Sequence, residues 1–356
     1  MSIQIEWDPE KAALNVKKHG VSFEEAKEVL RDPLSRNMKK ADDPGARFGP
    51  LPVYDLKGGI RGKYASRMAE TPRGEVALRH VWAPLSDFPR DGTEHRITTD
   101  TWICPASAYR GYAAPDFDEF LAPEDRALCR DVQHWLLLKL PAHYALSAAE
   151  CVNAFLLALW IVKPTRTHVE LRFHESAADV PSVYRVRDRF QWIHGQVTDK
   201  LQDEDLVVVS DFLPRIRAAY VDRGRLRNAL VLTSRGCVSG DWQSAFTCWS
   251  AAAEAMLTYE RGREPTARLA RAYARLVESE KPTADAINQF ETMSDIRSTI
   301  IHGRSYDRDG NAKNPDDLAA CSDLLRRMWR AALRSEETRC MLESNDDVRK
   351  RFFEGP

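Results

Sequence analysis

Three times along this chain an arginine stands five positions before a histidine: Arg90/His95, Arg189/His194 and Arg297/His302. The combination matters chemically. A guanidinium that keeps its charge and an imidazole that titrates near neutrality are the groups that metal-free cleavage of an RNA phosphodiester needs. With nine histidines present, roughly one such spacing arises by chance, so the surroundings must choose. Arg90/His95 lies in DFPRDGTEH, a turn sequence without helical period. Arg189/His194 rides on an apolar helical pattern of Val183, Val186, Phe190, Ile193, Val197 and Leu201. His194 falls inside that face, where a core hydrogen bond satisfies a histidine.

Arg297 differs. At about 100° per residue, Ile287, Phe290, Met293, Ile300 and Ile301 make a wide apolar arc, and Arg297 points into its centre. Arginine is rarely buried without a partner. Either Arg297 pairs with an acid such as Glu254 and fixes the packing, or it serves a site. His302 sits at the edge of the arc in the last turn, and Gly303 reads as the residue that ends the helix. The polar run 304–310 leaves that end open to water. Five residues apart, the two side chains diverge by about 140° and rise about 7.5 Å, too far apart to grip one phosphate easily within one protomer. A two-fold dimer packing this helix on its copy would bring two pairs to a shared cleft. Arg268, Arg271 and Arg275, with Tyr273 nearby, line one face of the preceding helix, either as an RNA-binding surface or as a solvated basic face. Lys17, Lys18 and His19 form a smaller basic patch.

These residues need elements to hold them, and the last third supplies the clearest. Trp242, Phe246, Trp249, Ala253 and Met256 recur at four-three spacing, the mark of a helix with one buried stripe. Helices follow over 265–280, 283–302 and 316–333, so the pattern predicts a four-helix bundle over 225–340 with a tail at 341–356. From 101 to 224 the pattern reads mostly helical (123–140, 147–162 and 182–202). Strands are expected at 168–173 and 206–209, and Ser147 to Glu150 reads as a capping box. Residues 1–36 read strand–helix–helix: Ile3, Ile5 and Trp7 alternate, Asp8 caps, Pro9 opens the helix and Gly20 ends it. Residues 37–50 read as a linker within a segment reaching to 100, which holds a strand candidate at 76–82 and the run YDLKGGIRGKY at 54–64. That run lacks the spacing of a phosphate-binding P-loop. The expected fold class is therefore mainly α, with a C-terminal four-helix bundle, a mixed α/β middle region and a small α+β N-terminal segment.

The stretch D-I-R-S-T-I-I-H-G at 295–303, on the third helix of such a bundle, resembles the active-site helix of the HEPN superfamily, and 101–224 resembles the variable part that precedes the bundle in Apea-type members. WDPEKAALNVKKHGVSFEEAKEVLRDPLS resembles the first part of BrnT-type ribonuclease toxins, though the strands that complete that fold are not recognisable after Asn37. Residues 54–65 resemble a motif of small antitoxin-type proteins. The HEPN resemblance implies a dimeric, metal-independent endoribonuclease, a toxin or antiviral-defence effector. In it His302 acts as general base or acid, Arg297 clamps the phosphate, Ser298 orients it and Asp295 orients a catalytic group across the dimer. Such an enzyme acts on RNA alone, leaves a 2′,3′-cyclic phosphate and takes no cofactor or metal. Two other readings stay open: a non-catalytic helical dimerisation or RNA-binding module, and a protein that meets an antitoxin or regulatory partner through its BrnT-like segment.

Composition sets the frame. Apolar residues at 43% and charged residues at 29% are ordinary for a soluble protein, and a formal net charge of -1 means that RNA must be met by a local patch. Seven cysteines without CxxC spacing predict reduced thiols, neither a disulfide framework nor a zinc site. The first residues lack the layout of a signal peptide. Ala154 to Val162 is too short to span a bilayer. A cytoplasmic protein without membrane contact is expected.

Overall fold

In the computed structural model, residues 78–90, 93–107, 121, 123–141, 144–176, 182–185, 200–222, 224–259, 266–278, 283–302 and 314–354 are described. They lie within one unit, Met68–Pro356. The architecture is mainly helical, with one antiparallel sheet. The BrnT-like segment, the YDLKGGIRGKY run, Lys17, Lys18 and His19, and the Arg189/His194 pair lie outside the described residues.

Among the described residues the sheet has six strands: β1 (Leu78–Leu85), β2 (His95–Thr98), β3 (Thr101–Pro105), β4 (His134–Pro141), β5 (Leu171–Ser176) and β6 (Ser182–Arg185). Their spatial order is β2-β3-β4-β1-β5-β6. β1 pairs antiparallel along the whole length of β4, from Leu78 opposite Pro141 to Leu85 opposite His134. Val81, Ala83, Leu85, Leu136, Leu138, Leu140 and Ile103 point to the main core. Trp82, Trp135, Leu137, Cys104 and Phe173 form a second core on the opposite face. The boundary expected near residue 100 falls in the tight turn between β2 and β3, so both sides of it belong to one sheet.

Double burial explains a correction. The helix expected over 123–140 is a helix only to Asp131 (α1, Pro123–Asp131), after which the chain becomes β4. His134 to Leu138 are all buried, and a strand covered on both faces carries no alternation to reveal it. The helix expected from 182 is likewise overturned over its first residues, because Ser182–Arg185 pairs with β5 as a strand. The strand expected at 206–209 lies instead inside helix α3 (Asp203–Asp222). There Leu206, Val209, Leu213, Ile216 and Tyr220 keep a three-four spacing, while Val207 and Val208 are exposed. A four-residue apolar run is too short to separate the two periods.

Helix α2 (Ala148–Val162) is the central rod. Its predicted capping box is present: Glu150 N–H donates to Ser147 Oγ at 3.2 Å, and Ser147 N–H donates to Glu150 Oε2 at 2.9 Å. At its other end the open carbonyls accept from guanidiniums of α8 (Asn314–Leu333): Arg326 Nε reaches Trp160 O at 2.8 Å, and Arg330 Nε reaches Ile161 O at 2.9 Å. Such contacts satisfy the acceptors every helix leaves at its C-terminus and place cations at the negative end of its dipole.

The remaining helices are α4 (Arg225–Val238), α5 (Trp242–Leu257), α6 (Thr266–Glu278), α7 (Ala284–Ile301), α9 (Glu336–Glu343) and α10 (Asp346–Glu354). The four helices read from the sequence in the last third are therefore α5 to α8, and α5 touches the other three as well as α4. The α4–α5 approach is close at Gly236, where an added Cβ would stand 2.3 Å from the Trp249 ring. That ring donates from Nε1 to Thr233 O at 3.2 Å, and Trp329 of α8 donates to Thr233 Oγ1 at 3.0 Å. The stretch read as a tail forms α10. Its Arg349 is 0% exposed and donates at 2.6 Å to both Met256 O and Thr258 O, closing the end of α5.

Candidate active site on helix α7

Helix α7 starts where Thr283 Oγ1 accepts from Ala286 N–H at 3.3 Å, and Glu278 in turn accepts from the Thr283 amide at 2.6 Å. It ends at His302, whose N–H bonds to Ser298 O at 3.0 Å. Ala286, Phe290 and Met293 are buried, with the Phe290 ring 5.6 Å from that of Tyr273 on α6. Ile287, Ile296 and Ile300 are partly buried against the same core. Ile301, expected within the apolar arc, is 52% exposed.

Arg297 lies one turn beyond Met293 and turns toward α5. Its Nη1 makes an ion pair with Glu254, and the two side chains are 29% and 31% exposed. Arg297 Nε is shielded and donates to no acceptor among the described residues. His302, Ser298 and Asp295 are exposed and share a strip on another side of α7. The structure therefore brings His302, Ser298 and Asp295 onto one surface and holds Arg297 apart from them, against Glu254. The divergence of about 140° expected from five helical steps separates the two principal groups.

Arg268, Arg271 and Arg275 open onto one cleft of about 350 Å³, lined also by Tyr259, Phe353 and Glu354. Tyr259 and Phe353 stack at 5.6 Å with 27° between ring planes, and the Tyr259 hydroxyl donates to Glu354 Oε1 at 3.1 Å. The three arginines thus share a concave surface with an aromatic floor and one carboxylate. No local sequence signal could have found the wall, since Phe353 and Glu354 come from α10, distant in the chain. Tyr273, expected near this face, is 0% exposed, and burial pushes its phenol up to about 12. It is core.

Arg90, the first arginine of the pair set aside as a turn, bonds Asp203 at 2.5 Å, and His95 opens β2. All seven cysteines are free thiols, only Cys340 of them exposed. Among the described residues no group of three or more His, Cys, Asp or Glu side chains is arranged to hold a metal ion, and no helix is long and apolar enough to cross a membrane. Comparison of the chain with protein-family models, with characterised proteins and with solved structures finds no match.

Proposed function

We propose that the chain is a metal-independent endoribonuclease of HEPN type, acting as a homodimer in toxin or antiviral-defence biology. The observation that supports it is the exposed strip of Asp295, Ser298 and His302 beside the exposed Ile301 at the end of α7. A solvated imidazole is free to move protons, and an apolar side chain left in water beside it suits burial against a second copy of the helix. In the reaction, His302 takes the proton of a ribose 2′-hydroxyl, O2′ attacks phosphorus and the P–O5′ bond breaks. The second histidine of the dimer gives its proton to O5′. Arg297 supplies charge to the pentacoordinate phosphorane, and Ser298 and Asp295 orient the reacting groups. The cleft of Arg268, Arg271 and Arg275 holds the flanking strand.

A second reading, a non-catalytic dimerisation or RNA-binding module, is favoured by the Arg297–Glu254 pair, which gives the arginine a structural partner. The nuclease reading requires that pair to open. Because both members are about one-third exposed, exchange of the carboxylate for a phosphate costs little.

The test is expression of wild type beside His302→Ala and Arg297→Ala, with total RNA examined for fragments ending in 2′,3′-cyclic phosphate in the presence of a chelator. Fragments from wild type alone support the enzyme. Their absence from wild type, with folded dimer present and RNA still bound, supports the module.

A further inference from the structure

The arginine cleft also holds one carboxylate, and the two kinds of charge call for different parts of a ligand. Arg268, Arg271 and Arg275 stand at i, i+3 and i+7 on α6, so they leave one face of that helix and line the cleft together. Glu354 enters the same cleft from α10. It stands in the last turn of that helix, where the dipole disfavours a negative side chain. Phosphate binding gains nothing from it either, since like charges repel.

Glu354 is nevertheless held in place. The Tyr259 hydroxyl donates to its Oε1 at 3.1 Å, and Lys350 Nζ lies 4.0 Å from its Oε2. The Tyr259 ring is 1% exposed and stacks on Phe353, so the donor is fixed. Arg349 in turn ties α10 to the end of α5. Among the described residues the carboxylate forms no ion pair with the three arginines, and its side chain is 41% exposed. A carboxylate offers about four acceptor sites, so capacity remains for a donor on a ligand.

We propose that Glu354 is a specificity residue of this cleft, accepting a hydrogen bond from the 2′-hydroxyl of a ribose whose phosphates the arginines hold. The inference rests on the reading of the cleft as the seat of the flanking strand. Along a sugar–phosphate backbone the phosphate and ring oxygens only accept; the 2′-hydroxyl is the donor, and it is the group that separates RNA from DNA. Guanidiniums and a carboxylate on one concave wall therefore match phosphate and ribose in alternation. A deoxyribose leaves Glu354 with the repulsion and without the bond. The plainer role, a tie for α10 through Tyr259, would serve RNA and DNA alike.

The experiment is a fluorescence-anisotropy titration of the full chain carrying His302→Ala, which spares the probe from cleavage. The probes are a short oligouridylate, its 2′-deoxy form and its 2′-O-methyl form. The ribo form should bind about tenfold more tightly than the other two, the worth of one hydrogen bond to a charged acceptor. Adding Glu354→Ala should bring the three affinities together by weakening the ribo form alone. Equal affinities with Glu354 in place would overturn the proposal, and that comparison holds even if Glu354→Ala fails to fold. A loss by the same factor for all three probes, the mark of a loosened α10, or a ribo preference that survives Glu354→Ala would also overturn it. Replacing Arg268, Arg271 and Arg275 with glutamine tests the reading beneath: unchanged binding means that the strand runs elsewhere and removes both claims. Weakened binding without any ribo preference keeps the cleft as a strand seat and removes only the role of Glu354.

Discussion

Arg297 of α7 is paired with Glu254 of α5, and each side chain is about one-third exposed rather than buried in the core. This decides how the two residues respond to substitution. A pair exposed by about a third on each side contributes little to stability, on the order of 0.5 kcal/mol after screening. Glu254→Gln should therefore leave the urea midpoint nearly unchanged. If Arg297 serves RNA cleavage, Glu254→Gln frees it and cleavage is retained or increased, whereas Arg297→Ala lowers the rate by roughly 10²–10³. Equal loss of stability in both variants, with no RNA cleavage in either, would make the arginine a packing device.

The basic cleft gives a prediction read through salt. Arg268, Arg271 and Arg275 line it together, so each should neutralise part of a single-stranded backbone. Replacing all three with glutamine should make the slope of log affinity against log salt shallower by about 0.7 for each phosphate that is no longer neutralised. Filter binding of a short oligoribonucleotide from low to moderate salt measures it. An unchanged slope would mean that RNA passes elsewhere.

Much of this frame was legible because helices with one buried face announce themselves. The stripe from Trp242 to Met256 and the Ser147–Glu150 box both read correctly, since each signal is local. β4 did not, because His134 to Leu138 are covered on both faces, so the period that would mark a strand is absent. Part of the candidate site was readable too. The placement of Arg297 and His302 on different sides of α7 follows from five helical steps, and Glu254 was a nameable partner. The wall of the arginine cleft was not readable, because Phe353 and Glu354 reach it only through the docking of α10 by Arg349.

Gly236 tests the packing that carries α5. A methyl group there would overlap the Trp249 ring, whose indole is held by its bond to Thr233 O and so cannot step aside without losing it. Gly236→Ala gains about 1 kcal/mol of helix propensity and loses about 1–3 kcal/mol to overpacking. The net expectation is a loss of about 1 kcal/mol in urea unfolding, read by circular dichroism. A variant as stable as wild type would mean that α4 and α5 can separate without cost.

His174 sets a pH dependence whose sign is fixed by its surroundings. Burial, then Arg172 and Arg79, hold its imidazole at about 4 in the folded chain, against 6.5 when exposed. Between those values the unfolded chain binds a proton that the folded chain refuses, so stability is full above pH 6.5 and falls as the pH drops toward 4. With partial exposure discounted, the loss is on the order of 2 kcal/mol. His80 and His95 are also shifted down, so they add slope of the same sign and only a single substitution isolates His174. His174→Gln keeps a donor at the same reach without the titration. Its urea stability should fall less steeply than that of wild type between pH 6.5 and pH 4, and parallel curves would show that His174 takes up its proton as readily folded as unfolded.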